Sequence, residues 1–344
     1  MEPDQTVRQT GRSLQEGLAA ARQRLNAAVA GRLAWMGQAS FWGRALLLIV
    51  ILFVFSYPLL AWIGSTVDDD MTFSLEGRNL KAGQSRAVAV MSALIRREVE
   101  DHGWVANNPW FSPSGMLLDD MPSFQSGMIQ ALARFSFELQ DQLGRTRGSS
   151  QIDQDLQSAS GFMQTAPTLW YWNPANSILP TAPAETQYLN AAKRFEAYNE
   201  RLANGQAVFD RRADNLIAAI ERIAQDIGSS SAAIDRHLED SSGYIWSNSA
   251  DDLFYNIKGQ MYAYYMVLRE LGQDFEPLLK ERQLETVWKQ MLHSFAEAAE
   301  LQPWLGIMDG SPGSQFFPSH LSSEGFYLLR ARMQLREVGD VLAK

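Results

Sequence analysis

Side-chain chemistry needs groups that exchange protons, hold metals or attack substrates, and this sequence offers few of them at useful spacings. It has four histidines, His102, His237, His293 and His320, and no cysteine. Without Cys there is no disulfide framework, no thiolate metal site and no thiol nucleophile. No histidine falls in an H-E-x-x-H pattern. His293 and Glu297 lie four apart and share a helix face, as two metal ligands could. One pair is half a site, and a solvated or capping pair is the simpler reading.

The carboxylates that draw notice are two adjacent pairs, Asp119–Asp120 and Asp251–Asp252. Two carboxyls can act as acid and base in glycoside hydrolysis when about 5–10 Å apart with one raised pKa. Adjacent residues point apart, however. Both pairs also precede helical patterns, where capping and the helix dipole favour an acid. There is no G-x-S-x-G, S-x-x-K, P-loop or G-x-G-x-x-G. No activated serine and no cofactor are therefore expected.

What remains is a set of aromatic residues beside Pro or Asn: Trp110, Phe111, Trp170, Tyr171, Trp172, Trp304, Phe316 and Phe317. They either anchor loops onto a core or form a platform for a sugar or peptide. Trp110, Asp119, Asp120, Trp170, Trp172, Trp304 and His320 make up the candidate ligand or partner surface. The tyrosines Tyr255, Tyr262, Tyr264 and Tyr265 cover more than one face of a helix, so some of them must meet another element or a partner.

The elements that would position these groups divide at one segment. Residues 45–63, ALLLIVILFVFSYPLLAWI, carry no charge for 19 residues. As a helix this run is about 28 Å long, close to the hydrocarbon thickness of a bilayer. Trp42, Arg44 and Trp62 flank it as interface residues. The region before it is too long for a cleaved signal peptide, and no A-x-A site follows, which favours an uncleaved signal-anchor.

Residues 1–44 hold six Arg against three acids, which leaves 24 basic and 36 acidic groups, net −12, for residues 45–344. Arg32 and Arg44 precede the run and Asp68, Asp69 and Asp70 follow it, so the positive-inside bias puts the N-terminus in the cytoplasm and the body in the periplasm. An acidic body excludes nucleic acid as a partner, since phosphates would be repelled. The expected partners are the lipid bilayer and an envelope protein or a second copy of the chain.

Within 1–44, Leu14, Leu18, Ala21, Leu25 and Ala28 recur at helical spacing among Arg residues, either as a solvated helix or as one lying on anionic lipid. Residues 64–82 read as a linker, with extended structure around Met71–Leu75. The remainder, 83–344, reads as helices. Val88, Met91, Ile95 and Val99 form one face, and Phe124, Met128, Leu132, Phe135 and Leu139 another. Phe195, Leu202, Phe209, Leu216 and Ile223 fall seven apart, which predicts one long bundle or coiled-coil helix over 185–227 with a bend at Gly205. A Ser/Gly patch at 228–231 should break the chain before a short helix, 232–240. Helices are expected after Ser249, over 277–300 with Pro277 in the first turn, and after Ser322 as N-cap, with Leu321 and Phe326 as a hydrophobic staple. The fold class is therefore mainly α: one N-terminal transmembrane helix and a large helical-bundle ectodomain with long aromatic and Pro-rich loops.

The stretches PSHLSSEGFYLLRARMQLREV (318–338), NPWFSPSGMLLDDMPSFQSGMIQAL (108–132) and DDLFYNIKGQMYAYY (251–265) resemble a family of uncharacterised proteobacterial single-span inner-membrane proteins, a domain of unknown function. The resemblance covers most of 45–344. It implies an envelope location and no activity, so no catalytic residue follows from it. The expectation is an inner-membrane-anchored scaffold or interaction protein. The alternative is an envelope enzyme or glycan-binding protein acting on peptidoglycan or polysaccharide.

Overall fold

The structure is a computed structural model and describes residues 27, 41–64, 67–109, 112, 120–144, 152–172, 179–240, 248–303, 307–310 and 319–344. The chain divides into two compact units, Met1–Leu60 and Ala61–Lys344. The predicted helix within 8–36 lies outside the described residues, save Ala27, which is helical.

Helix α1 (Phe41–Gly64) contains the whole uncharged run. Every residue from Leu46 to Phe55 is exposed, by 44 to 76%. Among the described residues no helix is long and apolar enough to cross a membrane. Side chains are described in this helix for 43–56 alone, which is shorter than the ~20 residues a span requires.

The second unit is a helical bundle, with no strand among the described residues and one isolated bridge between Asp309 and Ser319. Residues 67–84 are turns and irregular chain rather than the extended structure expected near Met71–Leu75. Helix α2 (Arg86–Arg96) starts at Ser85, whose Oγ accepts the Val88 N–H, and runs into a π-helical turn, Arg97–Asp101. Its predicted face is buried at Val88, Met91 and Ile95. Helix α3 (Asp120–Glu138) also ends in a π turn, Leu139–Leu143. Helix α4 (Gln154–Met163) has no counterpart in the sequence reading. Asp153 caps it by accepting the N–H groups of Asp155 and Leu156.

The predicted long helix over 185–227 is two helices, α5 (Ala184–Ala203) and α6 (Ala213–Asp240). Gly205, at φ 67°, turns the chain between them. A non-glycine residue meets steric cost there, and the left-handed turn ends the helical ladder. Phe209 is buried in the connection, not in a helix seam. Its neighbour Asp210 donates its N–H to the Leu143 carbonyl. The Ser/Gly patch does not break the chain either. Helix α6 runs through 228–231, because Ser229 and Ser230 return their hydroxyls to carbonyls four residues back.

Helix α7 (Asn248–Asp274) buries its predicted face at Phe254, Ile257, Met261, Tyr264 and Leu268. The helix expected over 277–300 is split into α8 (Glu276–Glu281) and α9 (Glu285–Ala299) by Gln283, at φ 54°. The last helix, α10 (His320–Leu342), is capped by Ser319 rather than Ser322, and Ser322 donates its N–H to that cap. No staple forms: Leu321 is buried while Phe326 is 60% exposed.

The most extensive helix contact is α3 against α7. Gly127 and Gly259 make it possible. A Cβ at Gly127 would lie 1.8 Å from the Asn256 carbonyl oxygen, and one at Gly259 would lie 2.1 Å from the Phe124 oxygen. The two backbones therefore touch, and no larger residue fits.

Candidate functional site

One face of α7 carries a row of polar groups. Lys258, Tyr262 and Arg269 are spaced four and seven apart and so share a face. That face holds the irregular segment that follows α1. Lys258 is buried, and its Nζ lies 2.6 Å from Asp69 Oδ2. It also donates to the Leu301 carbonyl at 2.7 Å. The Tyr262 hydroxyl donates to the Asp70 carbonyl at 3.0 Å. Arg269 donates to the carbonyls of Met71 and Phe73 at 3.1 and 2.6 Å.

The π turn after α2 completes this clamp. Its wider ring ends where the His102 N–H reaches the Arg97 carbonyl, five residues back. Such turns reposition side chains at the cost of regular helix geometry. Here Arg97 and Glu98, adjacent in sequence, are both buried. The Arg97 guanidinium lies between the rings of Phe73 and Tyr262, 5.0 Å from each centroid, a favourable place for a cation. It donates to Tyr262 Oη at 2.6 Å and to Glu98 Oε1 at 2.9 Å. Gln125 donates to the other Glu98 oxygen at 3.2 Å.

His102 closes the cluster, 3.2 Å from Asp68 and 3.4 Å from Glu98. Hydrogen bonds to Asp68 and then Glu98 hold its imidazole up to about 9. The same contact with His102, against the opposing effect of burial, holds Asp68 down to about 2. A cluster so closely partnered positions the chain; it presents no unpaired nucleophile and base.

Beside it lies Glu324 of α10, fully buried, with both carboxylate oxygens lacking a hydrogen-bond partner among the described residues. Burial pushes its pKa well above the carboxylate range, against the pull of Lys258.

A second network links α3, α6 and α7. Asp226 is buried, with Arg134 at 2.6 Å and the Tyr264 hydroxyl donating to it. Arg222 pairs with Glu138 at 2.9 Å. Burial raises Asp226 and drives the Tyr264 phenol well up. Arg134 and Arg222 flank a hollow of 380 Å³ together with Phe137, Met163 and Pro167. Both cations already hold a carboxylate, so the hollow offers an anion little.

The residues singled out from sequence fall in different places. Trp110, Asp119 and Trp304 lie outside the described residues, as do the side chains of Trp42 and Trp62. Arg44 is exposed in the first turn of α1. Asp120 opens α3 and faces Tyr255. Burial, followed by the carboxylates of Asp120 and Asp251, pushes the Tyr255 phenol up. Ser123 donates to Asp252 at 2.8 Å. Asp120 thus meets Asp251 and Asp252 where the first turns of α3 and α7 lie side by side. Trp170 packs edge-on against Tyr171, ring centroids 4.3 Å apart, and Trp172 is 44% exposed.

The loop carrying these aromatics is pinned by its backbone. Pro167 accepts from Trp104 Nε1 and Leu169 from Asn107 Nδ2, each at 3.0 Å. His320 opens α10, where its Nδ1 accepts the Met308 N–H at 2.8 Å and burial lowers its pKa. His293 is two-thirds exposed beside Glu297. No group of three His, Cys, Asp or Glu suited to a metal ion occurs among the described residues.

Sequence reasoning missed Arg97, Glu98, Lys258 and Glu324. A charged residue on an otherwise apolar helix face, such as Lys258 between Phe254 and Met261, is the signal that marks the burial of one of them.

A mainly helical bundle, part of whose buried charge holds one segment in place, is the class of protein these features define. The chain belongs to a family described as uncharacterized proteins conserved in bacteria (DUF2333), whose model matches residues 36–242. That match includes all of α1 and the stretch 108–132. No curated protein and no solved structure matches the chain.

Proposed function

We propose that this protein is an inner-membrane-anchored scaffold or interaction protein of the bacterial cell envelope, with α1 as its signal-anchor, residues 1–44 in the cytoplasm and the helical body in the periplasm. One observation carries the reading. Ten consecutive apolar residues, Leu46 to Phe55, are exposed all round a helix, a surface far too apolar to leave in water and of the kind a bilayer covers. The hydrogen-bonded ladder of a helix also meets the requirement that backbone groups be satisfied inside lipid. The clamp on residues 68–73 supports the scaffold part. It ties residues 68–73, which follow α1 in the sequence, to the helical body.

The test is fractionation of the full chain and of a Val50→Arg, Leu52→Arg variant, followed by alkaline carbonate extraction. Each central Arg costs roughly 2.5–3.5 kcal/mol of insertion. The natural sequence should stay with the membrane pellet and the variant should leave it. Release of the natural sequence by carbonate would end the anchor reading. Crosslinking in cells that returned only monomer would end the scaffold reading.

A further inference from the structure

Helix α10 carries two stripes of opposite character. One side is buried at Leu321, Leu328, Leu335 and Leu342, seven apart. On the other, Phe326, Leu329, Met333, Arg336 and Asp340 follow one another at spacings of three and four and are all exposed. The three apolar members are 60, 50 and 64% exposed. A 3–4 spacing is a helix-pairing seam, and the seam is about 21 Å long.

We infer that this seam pairs with the same seam of a second copy, antiparallel, about a twofold axis between Leu329 and Met333. The inference rests on the self-association allowed by the proposed scaffold role, and it names the surface. The order of side chains argues for the second copy and for the antiparallel sense. With Leu329 opposite the partner copy's residue at position 333, position 336 falls opposite 326 and position 340 opposite 322. Arg336 then lies over an aromatic ring. Asp340 reaches the first turn of the opposite helix, where a negative charge is favoured. A parallel pair would instead set Arg336 against Arg336 and Asp340 against Asp340. The flanking Arg330 meets its own copy near the axis, but Glu297 lies 3.0 Å from it in the same chain, so four alternating charges gather rather than two like ones. A twofold pair of this kind is closed and self-complementary. Its short seam suits copies already concentrated in two dimensions.

The chain lacks Cys, so engineered thiols report without background. Two differently tagged full-length copies, one Leu329→Cys and the other Met333→Cys, are co-expressed and oxidised in intact cells. The mixed disulfide should exceed the Leu329→Cys homodimer by roughly tenfold, because thiols whose Cα atoms are more than ~7 Å apart do not bridge. Arg336→Glu in both copies should lower that yield severalfold with unchanged thermal unfolding, since the residue is exposed. Dominant Leu329→Cys homodimers would mean a parallel pair, and no disulfide at either position would mean another occupant. Either result overturns the inference. The same cells are fractionated, so a chain that pairs but leaves the membrane would refute the anchor and spare the pairing.

Discussion

Arg97 and Glu98 stand or fall together. Both are buried, and removing Arg97 leaves buried Glu98 with the partly exposed His102 as its one remaining cation among the described residues, a loss of up to about 3–5 kcal/mol. Arg97→Ala should therefore lower the urea midpoint by far more than Arg97→Met combined with Glu98→Gln, which removes both charges. Equal losses would mean that packing, not charge, holds the turn. His102 adds a pH dependence. Its folded pKa, about 9, is raised above its ordinary 6.5, so its contribution is complete below about pH 6.5 and is lost as pH rises through 9. Asp68, held near 2, contributes above its ordinary value near 4 and is lost as pH falls toward 2. His102→Gln should cost on the order of 1 kcal/mol at pH 6, with both groups partly solvated, and should flatten the fall in stability between pH 7 and 10. A variant that kept that slope would move the titration to another group. None of this cluster was legible from sequence. Asp68–Asp70 reads as a charge marker beside an apolar run, while its partners Arg97 and Tyr262 lie far along the chain.

At the scale of helices, two glycines make opposite predictions to those of their neighbours. Gly127→Ala or Gly259→Ala must separate α3 from α7, at a cost of about 3 kcal/mol or more. Gly161→Ala in α4 meets nothing within 4 Å and should stabilise by roughly 0.5–1 kcal/mol. Gly205→Ala decides between the heptad seam and the observed turn. In a continuous helix it would stabilise; at φ 67° it should cost about 1–2 kcal/mol. Thermal unfolding reads all four. Helix faces were well signalled in the sequence, since α2, α3 and α7 bury the residues their periodicity names, save Val99, which falls half-buried in the π turn after α2. Helix ends were not. The seven-residue spacing of Phe195 to Ile223 persists across a turn because Phe209 reaches the core from the connection. Ser229 and Ser230 look like a break but bond back along the helix instead. The cap falls at Ser319 rather than Ser322, because several serines in that stretch offer the same hydroxyl.

For the whole molecule, the apolar run, the acidic body and the helical class were plain in the sequence. The candidate site was not, because Asp120, Asp251 and Asp252 lie in the first turns of helices and Trp170 sits in pinned chain, while Arg97, Lys258, Tyr262 and Arg269 hold residues 68–73. The central claim is that α1 spans a bilayer with the body outside the cytoplasm, and substituted-cysteine labelling in this Cys-free chain tests it most directly. Lys289→Cys, exposed on α9, and Ser13→Cys, in the basic segment, are treated with an impermeant maleimide in cells whose outer membrane has been opened. The account predicts labelling at position 289 in intact cells and at position 13 only after lysis. Protection of position 289 until lysis would contradict it.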